Sequence, residues 1–362
     1  MTQPRALTFG EGPTMRTYQE GIYFNMPFDE YLEIPCLSSS GIKNLLISPT
    51  DFWANSWMNP LREDMEAEKT HYREGKAYHK RILEGKEAFY SQYAPAYEDD
   101  GDPRMVRTGK DIIAALKACG AKSSSDTVLE GAIRLRDADP DVRIMAIEDA
   151  DHKAQYPNRE FLSAKLIRYI EYSTRMIECD PKINTFFIGG HSEVSIIWYD
   201  EDYGQWFKIR FDYLKVGPGC DLKTFANIME HNIDRAIKNT MAARRYFIQA
   251  ALYLNGNDVG KRFAAEGKVY GYTGDPKWLE TYARTPCDRF NWVFQKKGIA
   301  PLARGGYITK GSEIHKNGIG KVAEAVETYR KNIETFGTDM WITSEPLIHF
   351  DNSEMPAYSE YL

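Results

Sequence analysis

Glu193-Val194-Ser195-Ile196-Ile197-Trp198-Tyr199-Asp200, Trp206-Phe207-Lys208-Ile209-Arg210-Phe211-Asp212-Tyr213-Leu214 and Cys220-Asp221-Leu222-Lys223-Thr224-Phe225 are the segments that decide the fold of this chain. In the first, Val194, Ile196 and Trp198 alternate with other residues at the period of a strand. Asp200-Glu201-Asp202-Tyr203-Gly204 makes a turn into the second segment, and Gly217-Pro218-Gly219 turns the chain again into the third. The pattern predicts three consecutive strands. Asp221 and Lys223 lie two apart, so they point to the same face of the last strand. Asp212 precedes Asp221 by nine residues, with the tight turn between them, so a hairpin brings the two carboxylates together. Facing carboxylates suit a hard divalent cation. An ammonium beside them stabilises negative charge developing on a phosphate. A lone D…DxK is more often a charged sheet edge facing solvent, and here the surrounding motifs shift the reading towards phosphodiester hydrolysis.

Upstream, Arg73 to Gly85 predicts a helix with Gly75 and His79 four apart on one face. Downstream, Ile233 to Leu254 reads as one helix in which Tyr246, Gln249 and Tyr253 share a face. An aromatic stripe of that kind is ordinarily core, but a glutamine within it is a buried amide in need of partners.

The ordered set Gly75-xxx-His79, Glu193, Asp212, Asp221-Leu222-Lys223 and Gln249-xxx-Tyr253 resembles the PD-(D/E)XK nuclease superfamily. Within it, the chain resembles the RecE-like phage and prophage exonucleases, relatives of lambda exonuclease and the RecB nuclease domain. Leu37 to Pro49 is similar to the helix that opens that domain, and Phe290 to Gln295 to its late strand, so the likeness runs from about 36 to about 335. Phe211 stands where the superfamily has proline, and Lys296-Lys297 where the family more usually has Glu-Lys.

The resemblance implies an α/β, restriction-endonuclease-like core with a mixed central sheet flanked by helices. It implies that His79, Asp212, Asp221 and the Leu222 carbonyl ligate Mg²⁺ or Mn²⁺, with Glu193 supporting the site or a second ion. Lys223 would orient or activate the water, and Gln249 and Tyr253 would contact a DNA phosphate or brace the catalytic strand. The implied activity is degradation of double-stranded DNA from its ends, 5′ to 3′, leaving 3′ single-stranded tails for a single-strand annealing protein. A homo-oligomeric ring follows from the same likeness, four subunits or alternatively three, in a bacterial host and encoded by a phage or prophage. An endonuclease of the same superfamily is the alternative, and a non-catalytic DNA-binding or assembly protein on a nuclease fold is another.

With 362 residues, 43% hydrophobic and 27% charged, the chain has the composition of a soluble globular protein. No apolar run approaches the roughly 18 residues of a membrane span, and the first residues lack a signal-peptide core, so the expected location is cytoplasmic. Five cysteines without CxxC spacing argue against a disulfide framework, a zinc site and an iron–sulfur cluster. The net charge of −6 argues against a general DNA coat. Residues 205 to 262, however, carry ten Lys or Arg against five Asp or Glu. Lys76, Lys208, Arg210, Arg244 and Arg245 are the candidate DNA-binding cations, on a basic patch that solvated helix faces would equally explain.

The expected organisation is an N-terminal segment (1–35), a nuclease core (36–90 and 156–336), a helical insertion (91–155) and a C-terminal tail (337–362). Within the insertion, Tyr97 to Pro103 reads as a polar linker. Lys110 to Cys119 and Thr127 to Asp137 read as two short helices around Gly120 to Ser125, weakly resembling a SAP-like DNA-binding module, with a structural spacer as the favoured alternative because the second helix is poor in lysine. Ser312 to Phe336 predicts a closing helix.

Overall fold

In the computed structural model, which describes residues 5–9, 16–60, 62, 70–121, 127–225 and 232–342, the apolar alternation after Gly190 becomes the centre of a sheet. The N-terminal elements are β1 (Ala6–Phe9), β2 (Arg16–Gln19), β3 (Gly21–Tyr23), α1 (Phe28–Glu33), α2 (Ser39–Leu45), α3 (Pro49–Ala54), α4 (Thr70–Leu83) and α5 (Gly85–Gln92). Next come β4 (Tyr93–Pro95), α6 (Gly109–Ala118), α7 (Val128–Ala138), α8 (Met145–Ala154), β5 (Glu160–Leu162) and α9 (Ala164–Cys179). Then follow β6 (Gly190–Asp200), β7 (Gln205–Lys215), β8 (Cys220–Phe225), α10 (Ile233–Ala243) and α11 (Tyr246–Glu266). The last are β9 (Val269–Tyr270), α12 (Pro276–Arg284), β10 (Arg289–Lys296), β11 (Leu302–Thr309) and α13 (Glu313–Phe336).

Among the described residues, seven strands form one mixed sheet in the order β11-β10-β8-β7-β6-β3-β9. β10–β8 and β3–β9 are parallel, and the other neighbours are antiparallel. The fold is α/β, with a mixed central sheet flanked by helices, as expected. β6 is buried on both faces from Val194 to Trp198 because helices cover both sides. On one side lies α11, whose residues Gln249, Tyr253, Gly256 and Gly260 follow a helical period. A Cβ on Gly256 would stand 2.4 Å from Ile209 Cδ1, and one on Gly260 2.6 Å from Ile196 Cδ1, so the glycines let this helix lie directly on the strands. On the other side, Leu83 of α4 and Ile177 of α9 pack with Leu222 and Val293.

The sheet recruits the N-terminal segment: β3 pairs with both β6 and β9, so the core extends across the expected boundary at residue 36. The single helix expected over 233–254 is two. Arg244 closes α10, and Arg245 adopts a left-handed backbone (φ +49) that turns the chain into α11, which runs on to Glu266. In the insertion, α6 and α7 each begin with a threonine capping box, at Thr108 and Thr127, and α8 joins them around Ile112, Leu116, Leu135 and Ile147. β4 and β5 pair in parallel, tying the two ends of this unit together. The polar stretch before α6 is not a loose linker, because Arg107 pairs with Asp99 and Arg143 with Asp100 and Asp102. Lys122 to Ser125 of the expected turn, and 343–362 of the expected tail, lie outside the described residues. The start of that tail is docked: the Trp341 indole is buried against Phe52, and the Trp341 carbonyl accepts from the Thr50 hydroxyl.

Candidate metal centre

β7 and β8 share one ladder pair, Tyr213 with Cys220, and beyond it the strands no longer pair. Asp212 fills the resulting gap: its Oδ2 accepts from the Leu222 backbone N–H at 2.7 Å, replacing a ladder bond. The carbonyl of Gly219 accepts from Asn291 of β10, and that of Phe225 from Lys297 just beyond it. Backbone groups alternate sides along a strand, so the carbonyl of Leu222, like its N–H, turns towards the gap and not towards β10.

Across β7, Ser192 pairs with Tyr213 and Val194 with Phe211, so Glu193 stands opposite Asp212. Like charges directly opposed on neighbouring strands repel. At this one position the ladder pair is missing and Glu193 takes φ +56, a strained backbone for a non-glycine residue. Arg210 holds the displaced carboxylate, donating from Nε to Glu193 Oε2 at 2.7 Å and from Nη1 to Ser195 Oγ and the Met26 carbonyl.

His79 comes from α4 and places Nδ1 3.5 Å from Asp212 Oδ2. The ligand atoms of His79, Glu193 and Asp212 all lie within 4.8 Å of one another. Asp221 approaches from the α11 side. Its Oδ1 accepts from Gln249 Nε2 at 2.7 Å, and its Oδ2 lies 2.5 Å from Lys223 Nζ. Trp292 Nε1 reaches Gln249 Oε1 at 3.4 Å, which fixes which end of the amide faces Asp221. Tyr253 donates to the Arg210 carbonyl at 2.8 Å and braces β7.

Burial holds the His79 imidazole down at about 4, against the opposing pull of Asp221, so the ring is neutral at pH 7 and able to bind a cation. Burial, then the charge of Asp221, raises Asp212 well above the usual carboxylate range; burial also raises Glu193 despite Arg210. Burial opposes the charge on Lys223, but Asp221 and Asp212 outweigh it and its pKa is raised. Side-chain exposures of 28% for His79, 15% for Asp212 and 29% for Glu193 leave the cluster recessed yet open to an ion. The donor set fits Mg²⁺ or Mn²⁺: oxygens dominate, the imidazole is neutral, and the carboxyls of Glu193 and Asp212 stay raised even with Arg210 and Lys223 beside them. Asp221 Oδ2 is buried and accepts no hydrogen bond beyond its ion pair, an acceptor with capacity to spare.

Of the residues expected to bind metal, His79 and Asp212 lie together and Asp221 lies to one side. Glu193 joins His79 and Asp212 in the tight cluster, and Asp221 stands beside it, engaged by Gln249 and Lys223. Tyr253 is buried with its hydroxyl committed to β7, and Gln249 is buried too, so of the two roles expected for this pair, bracing fits the geometry and phosphate contact does not. Two basic candidates are corrected. Lys208 is 4% exposed, and its ammonium donates to the carbonyls of Tyr31, Leu32 and Ile34, so it anchors α1 and cannot reach DNA. Arg210 is spent on Glu193, Ser195 and Met26. Lys76 and Arg244 remain exposed, and Arg245 is half-buried with Nη1 3.5 Å from the Leu46 carbonyl. Two residues that the sequence motifs contain but for which they imply no site role stand beside the centre. Lys43 and Tyr246 are brought there by α2 and by the first residue of α11.

No family model matches the chain, and no curated protein does. Among solved structures, the chain has a likeness to a crystal structure from Eubacterium rectale whose protein is named "putative exonuclease". Identity is 14%, the match covers 74% of this chain and 86% of that one, and the TM-score is 0.31. A likeness that remote says nothing about activity, which has to be argued from the side chains.

Proposed function

We propose that this chain is a divalent-metal-dependent deoxyribonuclease, and specifically an exonuclease acting on the ends of double-stranded DNA. The observation that carries this reading is the convergence of His79, Glu193 and Asp212 within 4.8 Å, beside the Asp221–Lys223 ion pair. His79, Glu193, Asp212 and the Leu222 carbonyl would hold Mg²⁺ or Mn²⁺, with Asp221 Oδ2 as a further acceptor. The ion would supply positive charge at the scissile phosphate and acidify a bound water. With its pKa raised, Lys223 keeps its proton at neutral pH, so it acts as a fixed charge and hydrogen-bond donor to the phosphate or the attacking water, not as a general base. Gln249 orients Asp221, and Arg210 orients Glu193.

Polarity from 5′ to 3′, 3′ tails handed to a single-strand annealing protein, and a ring of four or three subunits rest on the family resemblance. So do a phage or prophage origin and a place in the bacterial cytoplasm. No helix among the described residues is long and apolar enough to cross a membrane. A net charge of −6 gives enclosure by a ring a physical purpose, because long-range attraction to DNA is weak.

Digestion of linear and closed circular DNA with Mg²⁺ or Mn²⁺ tests the proposal. Degraded linear DNA with untouched circles is the expected result. Nicked or cut circles would assign an endonuclease, and no hydrolysis of either with any divalent ion would overturn the nuclease reading.

A further inference from the structure

Tyr246 begins α11 three residues before Gln249, the residue that holds Asp221. Two ammoniums stand over its ring: Lys223 Nζ at 5.2 Å from the centroid and Lys43 Nζ at 5.5 Å. Arg244, exposed at the end of α10, is close enough for its charge to act on both Lys43 and Tyr246. Two cations therefore share one aromatic ring, with a third charge nearby. Lys223 is answered by Asp221, but among the described residues no carboxylate forms an ion pair with Lys43.

Its position is imposed by the fold. Ser38 caps α2 by accepting from the Gly41 N–H, and Ile42 and Leu45 are buried in the main core, which fixes the helix and turns the intervening Lys43 towards Tyr246. Placing a half-buried ammonium beside other cations is costly, and the one carboxylate whose charge reaches Lys43, Asp221, is already paired with Lys223. Burial, then the charge of Lys223, lowers the Lys43 pKa to about 8 against the opposing pull of Asp221, so the residue remains mostly charged at pH 7.

We infer that Lys43, with Tyr246 as its floor and Arg244 at its rim, forms an anion subsite that binds the backbone phosphate next to the scissile one. The ligand is a phosphodiester of the substrate strand, so the inference rests on the nuclease reading. Lys43 makes no contact with the metal cluster; it is a substrate-binding residue that sets where the strand lies relative to Lys223. Each phosphate neutralised by a cation releases counterions, so this contact has a salt signature as well as an affinity.

The test uses the full-length wild type, Lys43→Met and Lys43→Arg. Duplex oligonucleotides carry a single neutral methylphosphonate at successive linkages around the cleavage position. Wild type should lose about 10- to 100-fold in affinity at one linkage adjacent to the cut, the worth of a charge-assisted hydrogen bond. Lys43→Met should bind all-phosphate DNA more weakly by a similar factor, be indifferent to the methylphosphonate at that linkage, and show a salt slope smaller by about 0.9. Lys43→Arg should restore the sensitivity. A Lys43→Met protein that folds, and still loses affinity at the same linkage as wild type, overturns the subsite. If wild type hydrolyses DNA and only the Lys43 coupling is missing, this inference alone falls; if wild type neither binds nor cleaves DNA, the nuclease reading falls first.

Discussion

Asp212→Asn should change the sign of its effect on stability when metal is added. The asparagine keeps the shape of Asp212 and can still accept from the Leu222 N–H, so the strand gap stays filled. What it removes is a negative charge whose oxygen lies within 4.8 Å of a Glu193 oxygen. At an effective dielectric constant of about 20, that separation corresponds to a repulsion of roughly 3 kcal/mol. Arg210 offsets part of it, and proton uptake by Asp212 relieves more, so a net gain of about 1–2 kcal/mol is expected for the metal-free variant, or roughly 1–3 °C in Tm for a chain of this size. With metal the order reverses. Wild type at a hundredfold excess over Kd should gain about 2.7 kcal/mol, whereas the variant, short of one ligand charge, should move by less than about 1 °C. The advantage of asparagine without metal should also grow with pH. A carboxyl whose folded pKa is raised contributes stability that is present at acid pH and lost as pH rises through that pKa, and asparagine has no such loss. Calorimetric or fluorescence melts in EDTA and in Mg²⁺ or Mn²⁺, at pH 6 and pH 8, read all of this. A metal-free Asp212→Asn protein less stable than wild type, or one stabilised by metal as much as wild type, would refute the argument from charge crowding.

Lys223→Ala and Asp221→Ala should each lower single-turnover hydrolysis by at least about 100-fold, the scale for losing a preorganised charge at a reacting centre, with circular dichroism unchanged; near-normal turnover in both would remove the site. Gln249→Leu leaves Asp221 Oδ1 and the Trp292 N–H without their amide partner and should cost about 1–3 kcal/mol in urea unfolding, an expectation that unchanged stability would contradict. Gly256→Ala should destabilise by about 1–3 kcal/mol because the new methyl meets Ile209 and Trp198, while Gly75→Ala, whose nearest neighbour would be Thr224 Oγ1 at 4.0 Å, should be tolerated. Because the His79 pKa is depressed to about 4, its contribution to stability is complete above the unfolded value and is lost as pH falls through about 4; an imidazole titration by NMR with a midpoint near 6.5 would exclude the buried, neutral ring.

Strand elements were legible because each reports on its own neighbours: the alternation after Val194, the Asp200–Gly204 turn and the Gly-Pro-Gly turn specify β6, β7 and β8 without reference to anything distant. The break between α10 and α11 was not legible, because Met241 to Tyr246 contains neither glycine nor proline, and only the left-handed backbone of Arg245 separates two helices with good propensity of their own. β3 was equally hidden, since three residues carry too little periodicity to mark a strand, and its pairing partners lie about 170 and 250 residues away. Charge sign was a poor guide to exposure: Lys208 and Arg210 belong to a basic stretch, yet the alternation of β7 and the covering α1 turn both into structural donors.

The same limit explains the candidate site. Spacing brought Asp212 and Asp221 near each other through a hairpin, but it carried no sign of where that hairpin stops pairing. Pairing stops after Tyr213 and Cys220, and the separation has a physical cause: Asp212 cannot accept the Leu222 N–H from within a closed ladder, nor could the Leu222 carbonyl face an ion there. Opening the ladder exposes backbone groups that must find partners, and Asp212 supplies one of them. On the other edge of β7, Glu193 escapes its position opposite Asp212 through a left-handed kink, and Arg210 catches it. A centre that neutralised its own charges would have little use for a cation. This one keeps Asp212 and Glu193 crowded, their pKa values raised, and a neutral histidine beside them, so on the proposed reading a divalent ion would give the strained Glu193 backbone and the unpaired ladder a common purpose.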